Sequence, residues 1–149
     1  MLDIVEKYFD DNNIEYVRLD KKACCQIQQK WRDVYSAQMK TQKGGWGDDN
    51  YEWNTFAQNY AVNKKGARAR ALYHDIPWKD SVLYVVLEDA NGIAWKCYPK
   101  RLPDFSLELS NIGCIDLYVF PEDLSWTMAF THEESIDMGP YFAMKEWQE

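Results

Sequence analysis

The feature that most constrains this chain is a change of period near residue 81. Before it, apolar residues recur at helical spacing; after it, they crowd into short β-rich runs separated by turns. A helix buries one stripe at a period of 3.6, whereas a strand alternates at a period of two. Helices first and antiparallel strands second is the order of an α+β fold. We therefore expect N-terminal helices packed on a mainly antiparallel sheet of about four to five strands.

The first half carries the helical signals. Leu2, Val5, Tyr8 and Phe9 mark a short amphipathic helix that breaks at Asp11-Asn12-Asn13. Ile14 to Leu19 alternates as a half-buried strand does. Asp20 is placed to cap a helix over about 21–39, with Cys24, Ile27, Trp31, Val34 and Tyr35 on one face. Thr41 to Asn50 holds Gly44, Gly45 and Gly47 around Trp46 and reads as a loop. Tyr51, Trp53, Phe56, Ala57 and Tyr60 suggest a third helix capped by Asn50, and Asn63 to Tyr73 a fourth, despite Gly66.

In the second half, Ser81 to Glu88 and Ile93 to Tyr98 flank Asn91-Gly92, a strong hairpin turn. Pro99, Pro103 and Asp104 mark a connection, with one helical turn expected around Phe105 to Leu109. Cys114 to Phe120 and Ser125 to Thr131 form a second hairpin about Pro121-Glu122-Asp123. Its last strand sets Trp126, Met128 and Phe130 on one face and Thr127, Ala129 and Thr131 on the other.

The 149 residues suit one domain, residues 1–149, with no linker and no internal repeat. Hydrophobic residues make up 46% of the chain and aromatics 15%, too many for disorder. Seven Trp and ten Tyr leave some rings for a partly exposed surface. The N-terminus lacks a basic region followed by an apolar run, and no stretch nears the length of a membrane span. A cytoplasmic protein is expected, with no membrane partner.

The formal charge of −7 repels phosphate backbones, so nucleic acid is not an expected partner. It would attract a basic protein, though a charge of this size also simply keeps a small domain soluble. Lys64-Lys65-Gly66-Ala67-Arg68-Ala69-Arg70 is the basic exception. It interleaves with alanine rather than aromatics, which suits a solvated helix face better than a base-stacking platform.

Residues that could carry chemistry are few. Cys24, Cys25, Cys97 and Cys114 form no CxxC pair or disulfide framework. Cys24 and Cys25 follow Lys21 and Lys22 and are the best available nucleophiles, yet no histidine lies near them in sequence. His74 and His132 are the only histidines, without metal-ligand spacing, so neither metal nor cofactor is expected. His132 beside Glu133, Glu134 and Asp137 could move protons, or could simply end a strand and anchor a loop. Gly44-Gly45-Trp46-Gly47 lacks the Lys-Ser/Thr of a phosphate loop. No residue is assigned a catalytic role, and binding is expected rather than catalysis. The candidates for partner contact are Trp46, Asp48, Asp49, Glu52, Glu122, Asp123, Glu133 and Glu134, an aromatic anchor among acidic groups.

Three stretches also carry a resemblance: Asp116-Leu117-Tyr118-Val119-Phe120, Asp123 to Glu133 with its Trp126-Thr127 and Thr131-His132-Glu133, and Gly139-Pro140-Tyr141-Phe142. Together they resemble the ending of a bacterial family of uncharacterised small proteins, with a Trp-Thr strand, a Thr-His-Glu step and a Gly-Pro-Tyr-Phe closure. The N-terminal half matches more loosely, through a leading helix, a strand and a helix with Trp31 near its middle. In style the chain is similar to immunity proteins of contact-dependent inhibition and related polymorphic toxin systems. That likeness implies a non-enzymatic antitoxin, expected as a monomer, that neutralises a cognate basic toxin domain such as a nuclease. The alternatives are a small hydrolase-like enzyme using His132 and Glu133, and a self-associating housekeeping domain.

Overall fold

The computed structural model describes residues 2–38, 53–88, 92–105, 115–132 and 139–149. Helix α1 (Leu2–Asp11) leads into strand β1 (Glu15–Arg18) and helix α2 (Lys21–Tyr35). A single-turn helix α3 (Asn54–Ala57), strand β2 (Lys64–Lys65) and helix α4 (Gly66–His74) follow. The second half supplies β3 (Leu83–Leu87), β4 (Ile93–Tyr98), β5 (Leu117–Pro121), β6 (Trp126–Phe130) and β7 (Tyr141–Met144), then a 3-10 turn over Lys145–Gln148.

The local chemistry explains these boundaries. Val5 and Phe9 are one helical turn apart and fully buried, and Asn13 ends α1 with a left-handed φ of 56°, which asparagine tolerates. The Asp20 carboxylate accepts from the Ala23 N–H at 2.8 Å, so α2 starts at its expected cap. It ends at Tyr35, short of the expected 39, where Ser36 adopts φ −135° and donates its N–H back to Arg32 O. Gly66 opens α4 at φ +63° with open space where a side chain would lie.

Seven strands form one sheet in the order β1-β4-β3-β5-β6-β7-β2, with every neighbouring pair antiparallel. The α+β expectation holds, but four to five strands was too few. The two unforeseen strands are β7 and β2. Tyr141 to Met144 is buried at three of four positions and so shows no alternation. Lys64 and Lys65 show no apolar residue at all and are held only by their pairing with Phe142 and Tyr141. Pro121, expected in a turn, instead closes β5 opposite Leu83.

Helices cover both faces of the sheet. On one, Val5 and Phe9 of α1 and Ala69 and Tyr73 of α4 pack on Leu83, Val85, Trp95, Val119, Met128 and Phe142. On the other, Cys24, Trp31 and Tyr35 of α2 with Trp53 and Phe56 pack on Val86, Ala94, Tyr118, Phe120, Ala129 and Tyr141. Double coverage is why β5 and β6 are buried at every position. The predicted split of β6 is as found: Trp126, Met128 and Phe130 face α1 and α4, and Ala129 faces α2. Thr127 on that second face is satisfied. It accepts from Trp31 Nε1 at 2.9 Å and donates to Val119 O at 3.1 Å.

Candidate functional site

At one end of the sheet β3 finishes, β5 begins and β6 finishes. Asp116 lies one residue ahead of β5 and His132 two residues past β6. The hairpin register, Leu117 opposite Phe130, carries Asp116 and His132 past the last ladder pair to a diagonal position. There Asp116 Oδ1 accepts the His132 backbone N–H at 2.7 Å, and the ring Nδ1 lies 3.0 and 2.9 Å from Oδ1 and Oδ2. A carboxylate only accepts, so Nδ1 is the donor and the ring orientation is fixed. The Asp116 side chain is 5% exposed and that of His132 18%.

Three neighbours close a circuit around this pair. Trp53 sets its ring edge-on to His132, with centroids 6.2 Å apart, and stacks on Tyr141 at 6.0 Å. Its backbone N–H donates to Tyr118 Oη at 3.1 Å. The Tyr118 hydroxyl donates to Glu88 Oε1 at 2.5 Å, and the Glu88 N–H donates to Asp116 O at 3.0 Å. Thus one chain of contacts runs from Asp116 through His132, Trp53, Tyr118 and Glu88 back to Asp116. These links tie the ends of β3, β5 and β6 to one another.

The arrangement has one half of an acid–base device, an imidazole held by a carboxylate. Among the described residues, no group of three His, Cys, Asp or Glu could hold a metal ion. His74 is engaged elsewhere: it lies 3.6 Å from Asp104, which Arg70 also approaches at 3.5 Å. Cys24 and Cys97 are buried, and burial pushes the Cys97 thiol up to about 12. Cys25 is exposed.

The sequence candidates divide. Trp46, Asp48, Asp49, Glu52, Glu133 and Glu134 lie outside the described residues, as do Cys114, Asp137 and the Asn91 turn position. Glu122 and Asp123 form the exposed β5–β6 turn, at the opposite end of the hairpin from His132. Burial, and to a smaller extent Glu122, raises the Tyr84 hydroxyl above its ordinary range. The Ser125 N–H donates to Asp123 at 3.0 Å and holds its carboxyl below the ordinary range. Trp53 follows Glu52 directly, His132 precedes Glu133 directly, and those two rings touch.

Asp116, Tyr118 and Glu88 were not singled out from sequence. Asp116 carried a usable signal: an acid heading an apolar run that reads as core must find a donor when buried. A comparison with known protein families, curated proteins and solved structures finds no match to this chain. Among the described residues, no helix is long and apolar enough to cross a membrane.

Proposed function

We propose that this chain is an immunity protein, a cytoplasmic antitoxin that binds a cognate basic toxin domain non-covalently and blocks its active site or substrate surface. The contact between Trp53 and His132 is the observation that carries the reading. Glu52 directly precedes Trp53 and Glu133 directly follows His132, so the two acidic stretches adjoin residues that meet. Asp48, Asp49, Glu52, Glu133 and Glu134 then serve as the charged rim and Trp46 as the aromatic anchor, with Glu122 and Asp123 as a separate contact. A net charge of −7 speeds encounter with a basic partner, and a buried ring slows release.

Titration calorimetry with the toxin domain encoded beside this chain tests the proposal. A tight 1:1 complex that weakens as salt rises is expected. Replacing Asp48, Asp49 and Glu52 by their amides should slow association about tenfold or more. Absence of binding at micromolar concentration would sink the idea.

A second reading, a small hydrolase-like enzyme, draws on the Asp116–His132 pair, because a carboxylate on Nδ1 is what orients an imidazole for proton transfer. It requires the purified protein to turn over a small ester or amide and His132→Gln to abolish that turnover, whereas the binding reading expects no turnover in either.

A further inference from the structure

The sheet has two edges of different character. At one, β2 is two residues long and both are lysine, a short charged edge that discourages pairing. At the other, β1 runs four residues, with Val17 at 55% exposure and Tyr98 of the adjoining strand at 42%. An open groove of about 590 Å³ lies at this edge, lined by Asp10, Asn13, Tyr16, Val17 and Tyr98 among others.

The ladder decides which backbone groups look outwards. Leu19 N donates to Ala94 O at 2.9 Å. In an antiparallel pair the two backbone groups of a residue point the same way, and the direction alternates. Glu15, Val17 and Leu19 therefore turn theirs towards β4, and Tyr16 and Arg18 turn theirs away from the sheet. The side chains divide by the same parity. Tyr16 packs on Phe9 with centroids 5.1 Å apart, and Arg18 makes a two-pronged bond to Glu6, so both lie on the α1 face. Val17 and Tyr98 lie on the other.

We propose that β1 pairs with β1 of a second copy, antiparallel across a twofold axis, with Val17 on that axis. Only residues with outward backbone groups can be matched, so the symmetric registers centre on Tyr16, Val17 or Arg18. Centring on Arg18 sets like charges opposite each other, and centring on Tyr16 leaves Arg18 facing the partner's Ile14. Centring on Val17 matches Tyr16 with the partner's Arg18 and uses every outward N–H and C=O of the strand. One face then gains a guanidinium on an aromatic ring, twice by symmetry. The other gains an exposed valine against its own copy. Such an isologous contact closes on itself and makes a dimer rather than a fibre.

This association does not rest on the immunity reading, and salt separates the two. Two copies of charge −7 repel, so salt strengthens the dimer, whereas it weakens a complex with a basic toxin. Sedimentation of the purified protein alone is the test. A reversible dimer with a dissociation constant on the order of 10–100 µM is expected, since a contact of this extent is small. It should tighten several-fold between about 0.05 and 0.5 M sodium chloride. Val17→Lys places two ammonium groups on the axis and should leave a folded monomer, with the fold checked by circular dichroism. Hydrogen exchange gives a second, register-specific readout. The Tyr16 and Arg18 amides should gain protection as concentration rises, while those of Val17 and Leu19 stay protected throughout. A monomer at every concentration, or a dimer that Val17→Lys and the Tyr16 and Arg18 amides do not register, overturns the proposal.

Discussion

Replacing Asp116 by alanine is the most direct probe of the Asp116–His132 pair. The carboxylate receives the His132 backbone N–H at 2.7 Å and the ring Nδ1 at 2.9 and 3.0 Å, from a position only 5% exposed. A hydrogen bond to a charged group contributes about 1.5–3 kcal/mol, and an orphaned buried N–H costs about 1–3 kcal/mol. The imidazole is exposed enough to turn towards water, so its share falls at the low end. Asp116→Ala should therefore lower stability by about 3–5 kcal/mol, a large part of the roughly 5–15 kcal/mol that a domain has. Asp116→Asn keeps an oxygen for the backbone N–H but sets an amide donor against Nδ1, and about 1–2 kcal/mol is expected. Urea unfolding followed by tryptophan fluorescence measures both, with an unchanged m-value as the control for two-state behaviour. Combining Asp116→Ala with His132→Ala should show a coupling of about 1–2 kcal/mol. A cost below about 1 kcal/mol for Asp116→Ala, or additive single and double variants, would refute the view that this pair holds the strand ends together.

Two further perturbations test other joints. Glu6 receives Arg18 through Nε at 2.9 Å and Nη2 at 2.7 Å, and Trp95 Nε1 at 2.8 Å. The Arg18 contact foremost, then Trp95, holds its carboxyl below the ordinary 4.5. The stabilisation is whole above 4.5 and is lost as pH falls through the depressed value in the folded protein. Acid titration of stability should thus be flatter in Glu6→Gln than in the parent. Gly139 sits at φ +122°, and an added Cβ would overlap Thr131 Oγ1. Gly139→Ala combines backbone strain with overpacking and should cost about 2–4 kcal/mol, or roughly 5–15 °C in a thermal melt. Pairing it with Thr131→Ala should recover part of that loss.

How much of this was legible in the sequence depends on where the side chains point. The β3–β4 strands and the two faces of β6 could be read because apolar residues and a turn signal announce them. β7 could not, because Tyr141, Phe142 and Ala143 are buried alike and offer no alternation. Nor could β2, whose lysine side chains are exposed and whose only tie to the sheet is the backbone. At the site, His132 was conspicuous as one of two histidines. Its partner was not, because Asp116 sits at the head of a run that reads as core strand. Trp53 was read as one face of a helix; the ring contacts that give it a place beside His132 and Tyr141 depend on tertiary packing alone.

The sheet is woven from the two halves of the chain unequally. All five inner strands come from residues 83–144, while the first half supplies only the two margins, β1 and β2. During synthesis, therefore, α1 and α2 emerge with apolar faces prepared for a surface not yet made. They must wait for β3 to β7 before Phe9 and Trp31 find cover. Such late, long-range closure slows folding and leaves the nascent N-terminal half dependent on shelter from other hydrophobic chains. A chain truncated after His74 would carry helices α1 to α4 yet have no sheet on which to lay them.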